Sequence, residues 1–193
     1  MSHRVKNLLA IASGLTQMTS RSSGSIADMT SQLTERLRAL GRAHDLVRPL
    51  PGGQGKAALL GDLITILLAP YDETAAFSGR IRVAVPRMGV GEGAAMGLAL
   101  VIHELATNSL KYGSLSAATG TLDVSGSIDG DDVVLTWTEQ GGPEVVTPQG
   151  AGGYGSKLLE RTVAGHLGGT ISYNWTPGGA LVTLKLDANR LAS

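Results

Sequence analysis

The sequence contains no cysteine among its 193 residues. Disulfides, thiolate metal sites and cysteine nucleophiles are therefore excluded. Aromatics are scarce, 4% of residues with a single phenylalanine, against 27 glycines. That balance predicts aliphatic packing and several special backbone turns. Neither sign of charge is in excess: 16 Lys and Arg face 16 Asp and Glu, with no basic run. Nucleic acid and anionic membrane surfaces both select clustered cations and are poor partners for such a chain. Long apolar runs are missing too. The longest, near residues 57–69 and 94–102, fall short of a membrane span, and the N-terminus lacks a signal-peptide pattern. A soluble cytoplasmic protein is the expectation.

What is present, 42% hydrophobic residues, suffices for one ordinary domain and a smaller module. Val5, Leu8, Ile11, Ala12, Leu15 and Met18 share one side of a predicted helix over 2–20. After a Ser/Gly break, Ile26, Met29, Leu33, Leu37, Leu40, His44 and Val47 recur every three or four residues. Two such helices predict an antiparallel hairpin. A lone hairpin cannot hide both seams, so the expectation is a homodimer whose residues 2–47 form a four-helix bundle. The Pro/Gly segment 49–55 reads as a linker, dividing a module at 1–50 from a domain at 55–189. That domain predicts helices over 56–69, 91–112 and 155–167, and strands near 80–86, 120–128, 132–139, 169–176 and 180–187. The fold class is α+β: a helical hairpin followed by a two-layer α/β sandwich of antiparallel strands with helices on one face.

Chemistry concentrates in three places. In the stretch from His103 to Gly113, Glu104, Asn108 and Lys111 form a polar stripe on a half-buried helix, bordering the core without entering it. A carboxylate, a carboxamide and an ammonium on one face suit a hard cation and phosphate oxygens; a solvated helix face is the plainer alternative. The run from Gln149 to Leu159 puts glycines before a helix, where backbone N–H groups approach phosphates. It is not a P-loop, because Ser156 precedes Lys157 where that motif has Lys first. Nor is His103-Glu104-x-x-Thr107 a zinc protease motif, since Thr107 stands where the second His belongs. Finally, Trp137-Thr138-Glu139 closes a strand before Gly141 and Gly142, placing a carboxylate where it can accept a bond from an exocyclic amino group. At the N-terminus, His3 offers an imidazole able to accept a phosphoryl group on nitrogen.

Together these motifs resemble the GHKL (Bergerat) ATPase fold of histidine kinases and, more narrowly, the HWE histidine kinase family. Its naming His and Trp-x-Glu stand here as His103 and Trp137-Thr138-Glu139. His3-Arg4-Val5-Lys6-Asn7 looks like its phosphoacceptor box, and the run from Gly153 to Leu159 like its second glycine box. The resemblance implies ATP and Mg2+ as cofactors, His3 as the phosphorylated histidine, Glu104 as the acidic group assisting attack, and Asn108 as the Mg2+ ligand. Lys111 and Tyr112 would flank the nucleotide, Glu139 would read adenine with Gly141 beside it, and Gly153, Gly155 and Leu158 would line the remainder. His103, projecting off the polar stripe, would have a structural or lid-contacting role. Implied partners are a response-regulator receiver domain and a sensor domain or protein.

Departures from the family pattern are a Glu where most kinases have Asp, a short segment from Pro143 to Gly152 for an ATP lid, no phenylalanine box, and Arg4 where an acid usually follows the histidine. His44 is the substitute acceptor should His3 not serve, although its place on the apolar seam favours a packed bundle residue. The competing functions are a histidine phosphotransfer relay or scaffold with a non-catalytic GHKL domain, and an anti-sigma serine kinase on the same fold.

Overall fold

The structure is a computed structural model that describes residues 3–47, 58–73, 79–144 and 154–193; in the first helix, side chains are described from Leu9 onward. The expected linker 49–55 and Gly153 lie outside the described residues. Two helices, α1 (His3–Ser22) and α2 (Ile26–Val47), form the hairpin. Ser25 starts α2 by accepting the Asp28 amide on its hydroxyl at 3.1 Å, the bond that substitutes for a missing helical acceptor. There follow β1 (Ala58–Leu59), α3 (Leu60–Glu73), β2 (Ile81–Ala84), β3 (Gly89–Val90) and α4 (Glu92–Lys111). A 3-10 helix (Ser114–Ser116), β4 (Thr121–Asp129), β5 (Asp132–Gln140), α5 (Tyr154–His166), β6 (Thr170–Thr176), β7 (Gly179–Asp187) and α6 (Ala188–Ala192) complete the chain.

The main sheet has the order β2-β4-β5-β7-β6. It is mixed, which corrects the all-antiparallel expectation: β2 lies parallel to β4, and the other pairs are antiparallel. A parallel neighbour requires a crossover, and α4 lies in the connection between β2 and β4. A second sheet pairs β1 with β3 through Ala58↔Val90 and Leu59↔Gly89. Strands of two residues carry no readable period and are invisible to pattern reading.

One face of the main sheet is apolar. Val124, Trp137 and Val182 stand in one cross-strand row of it, and Leu135 and Leu184 in the next. On the opposite face Ser125, Thr136, Thr183 and Ser172 align across four strands as a row of hydroxyls.

The central element is α4, buried without interruption from Ala94 to Ala106. The sequence reading made it half-buried, because its apolar stripe accounts for one covered face only. A second cover comes from the hairpin: Leu15, Leu40 and Ala43 belong to the same hydrophobic cluster as Leu98, Ile102 and the sheet residues. The buried stripe of α2 is Arg36, Ala39, Leu40 and Ala43, rotated from the predicted seam. Leu37 and Ile26 are exposed.

Candidate nucleotide site

Successive turns of α4 carry Glu104, Asn108 and Lys111, and the structure brings all three to one cleft of about 190 Å³, with Arg36 and Gln32 of α2 on the opposite wall and Gly155 of α5 at its end. Asn108, Lys111 and Tyr112 are exposed. Glu104 is buried: its Oε1 accepts from Arg36 Nε at 2.7 Å, and Arg36 Nη1 donates onward to Thr19 Oγ1 at 2.8 Å. The expectation that the stripe only borders the core thus fails at Glu104, because α2 covers it. Its other oxygen points to the start of α5, where a Cβ on Gly155 would come within 3.2 Å of Oε2. The glycine leaves that approach open.

His103, which also lines the cleft, is largely buried, and its Nδ1 lies 2.5 Å from the hydroxyl of Tyr71 on α3. Burial pushes the His103 pKa down, and the Glu104 charge opposes this more weakly. Burial raises the Tyr71 pKa, so its hydroxyl stays a donor and a neutral His103 accepts on Nδ1. His103 therefore ties α3 to α4, in keeping with a structural role.

Glu139 closes the Trp-x-Glu motif. Its Oε1 accepts from Trp137 Nε1 at 3.0 Å and its Oε2 from the Ser114 amide at 2.8 Å. Residues two apart on a strand share a face, which is the physical reason for the Trp-x-Glu spacing. A Cβ on Gly113 would sit 1.9 Å from Oε2, so only glycine lets the loop after α4 close on this carboxylate. Both oxygens are thus engaged within the protein. A carboxylate has about four lone-pair directions, leaving acceptor capacity for a base. Gly141, at φ +71°, turns the chain after β5. Leu158 packs in the core and does not line the cleft. The side chain of His3 is among those not described, although its backbone begins α1.

The cleft suits a magnesium–polyphosphate in its donor chemistry. An exposed carboxamide supplies a neutral oxygen ligand of the kind Mg2+ takes beside phosphates and water. Lys111 supplies cationic charge, and Gly155 at the first turn of α5 offers backbone without a side chain in the way. Sequence reasoning missed Arg36, Thr19 and Tyr71. Arginine on an amphipathic helix reads as solvated, and nothing local pairs it with an acid 68 residues away.

Similar folds occur in solved histidine kinases. The histidine kinase domain of a blue-light activated histidine kinase from Erythrobacter litoralis superposes with a TM-score of 0.62 at 16% identity, covering 97% of this chain and 96% of that one. The catalytic domain of histidine kinase ThkA gives 0.52 at 13% identity over 67% of this chain and 94% of that one. The fold is that of a histidine kinase catalytic core. Residues 1–86 match the family model described as HWE histidine kinase. Along 97% of its length the chain is 32% identical to Blue-light-activated histidine kinase 1 of Erythrobacter litoralis, and along 94% it is 32% identical to a Blue-light-activated histidine kinase of Brucella anthropi. The chain is thus similar to the HWE histidine kinase family over its first 86 residues and to blue-light-activated histidine kinases along nearly all of its length. It spans 52% and 37% of those two relatives' lengths.

Proposed function

We propose that this chain is the catalytic core of a two-component histidine kinase, taking the γ-phosphoryl group of ATP onto His3 and passing it to an aspartate of a response-regulator receiver domain. The observation that carries the reading is the convergence of Asn108, Lys111 and Gly155 on one cleft. In this reading Asn108 holds Mg2+ through its carboxamide oxygen. Lys111 and Tyr112 flank the nucleotide, and the backbone around Gly153 and Gly155 meets the phosphates. Glu139, already fixed by Trp137 and Ser114, offers its remaining acceptor capacity to the adenine amino group, beside the turn at Gly141. Bound Mg2+ neutralises charge developing on the phosphates, the main requirement of phosphoryl transfer. Residues 1–50 form the phosphotransfer and dimerisation hairpin and 55–189 the ATP-binding domain.

The test is incubation of the chain with γ-labelled ATP and Mg2+. Acid-labile, alkali-stable label is expected, and Asn108→Ala is expected to lower its rate by roughly a hundredfold or more, as removal of a metal-bearing contact does. Label at the wild-type rate in Asn108→Ala would remove the nucleotide-site assignment. A wild type labelled only from a phosphorylated receiver domain would make the chain a relay.

A further inference from the structure

The hairpin is docked with its turn end, not its His3 end, on the cleft. Along α4, Arg36 meets Glu104 at 2.7 Å, and eight residues further along α2 His44 Nδ1 faces Glu92 Oε1 at 3.7 Å. Helix α2 therefore runs antiparallel to α4, with its later turns toward the Glu92 end. Helix α1 folds back along it, since Thr19 is bonded to Arg36 across the turn. Residue 3 begins α1, and the sixteen residues to Thr19 make about 24 Å of helix. Reacting atoms in a group transfer must approach to about 3–3.5 Å. No side chain at the start of α1 spans such a gap to Asn108 or Lys111.

Two further observations bear on this arrangement. The cleft of about 190 Å³ between α2 and α4 is smaller than the roughly 300–1,000 Å³ typical of small-molecule sites. The hairpin is what narrows it. Moreover, Arg36 lies in a stripe otherwise made of Ala39, Leu40 and Ala43, where an apolar residue would serve packing alone equally well. An ion pair instead gives a contact that an incoming anion can break, because polyphosphate competes with Glu104 for the guanidinium and repels the carboxylate.

We infer that Arg36 is a latch: paired with Glu104 and braced by Thr19, it holds the hairpin in a resting position over the nucleotide cleft, and the hairpin must leave α4 before its histidine is phosphorylated. The inference rests on reading this cleft as the nucleotide site. It assigns Arg36 a positioning role, acting through Glu104, and makes nucleotide entry and hairpin release a single coupled event.

The test uses the full chain, which has no cysteine of its own, with spin labels on Ser31→Cys of α2 and Ser127→Cys of β4. The wild type is expected to give one narrow distance distribution, shifted and broadened by a non-hydrolysable ATP analogue with Mg2+. Arg36→Gln is expected to give that shifted distribution without nucleotide, and to bind the analogue roughly tenfold more tightly if the latched form is about nine-tenths of the population. Thr19→Val, which leaves the Arg36–Glu104 pair in place and removes the brace together with the Thr19 hydroxyl's bond to the Leu15 carbonyl within α1, is expected to move both readouts the same way by a smaller factor, and covers the case in which Arg36→Gln fails to fold. Unchanged distances and affinity in the folded variants would overturn the latch. Released distances with weaker nucleotide binding would also overturn it, making Arg36 part of the binding site. Release by Arg36→Gln in a chain that binds no nucleotide would instead leave the latch standing and remove the kinase reading.

Discussion

A helical projection at 100° per residue was enough to put Glu104, Asn108 and Lys111 in one cleft, but not to show that His103, off the stripe, also lines it. It could not say that Glu104 is buried, because that depends on Arg36 arriving from another helix. His103 shows what such a reading cannot supply: neither its place in the cleft wall nor its partner Tyr71 was legible. The pair has a pH consequence. Unfolded, His103 titrates near about 6.5; folded, burial lowers its pKa, so on acidification the unfolded chain takes up the proton first. The stability contributed by neutral His103 is therefore complete above about pH 6.5 and is lost as pH falls through the folded value. Thermal midpoints of the wild type are expected to fall between about pH 7 and pH 5. His103→Gln can still accept from Tyr71 but cannot titrate, and is expected to flatten that part of the slope. An identical slope in the variant would remove His103 as its source.

At the scale of elements, the boundaries of α2, α4 and β5 follow the sequence expectation to within a residue or two, because long periods and the Asp/Gly turn before β5 are strong local signals. The face of α2 that is buried was misread. Leu37 and His44 belonged to the expected seam, whereas Arg36 and Ala43 occupy the buried positions. The exchange is stable because Arg36 is neutralised by Glu104 and bonded to Thr19. This changes how dimerisation through the hairpin is tested. Leu40 is 4% exposed and packed against the α/β layer, so Leu40→Ala is expected to cost about 2–5 kcal/mol of stability and says nothing about assembly. Leu9 and Leu37 are 54% and 41% exposed. Leu9→Glu with Leu37→Glu is expected to alter stability by less than about 1 kcal/mol while converting the proposed dimer to monomer in sedimentation velocity. A dimer that persists would exclude Leu9 and Leu37 from the interface.

For the molecule as a whole, the Pro/Gly segment at 49–55 reads as a linker between a module at 1–50 and a domain at 55–189. Among the described residues one hydrophobic cluster runs from Leu15 and Leu40 through α4 to Trp137 and Leu184. A pattern of apolar spacing reveals which face needs covering, not which element covers it. The expectation is a single cooperative unfolding step, in which tryptophan fluorescence from Trp137 and Trp175, both in the main sheet, coincides with helical circular dichroism. Leu15→Ala in α1 is expected to lower both midpoints together, by the roughly 2–5 kcal/mol of a large-to-small core change. Separate midpoints would mean that the hairpin unfolds on its own.

The lengthwise docking of α2 on α4 also has a mechanical side. A load applied across the helices at the His3 end peels the interface, meeting the His44–Glu92 approach first, then Ala43 and Leu40, and the Arg36–Glu104 pair last. A load along the helix axis shears all of these contacts at once. The hairpin is thus soft to a sideways tilt and stiff to a piston stroke, and a tilt of about ten degrees about Thr19 displaces the start of a 24 Å arm by about 4 Å.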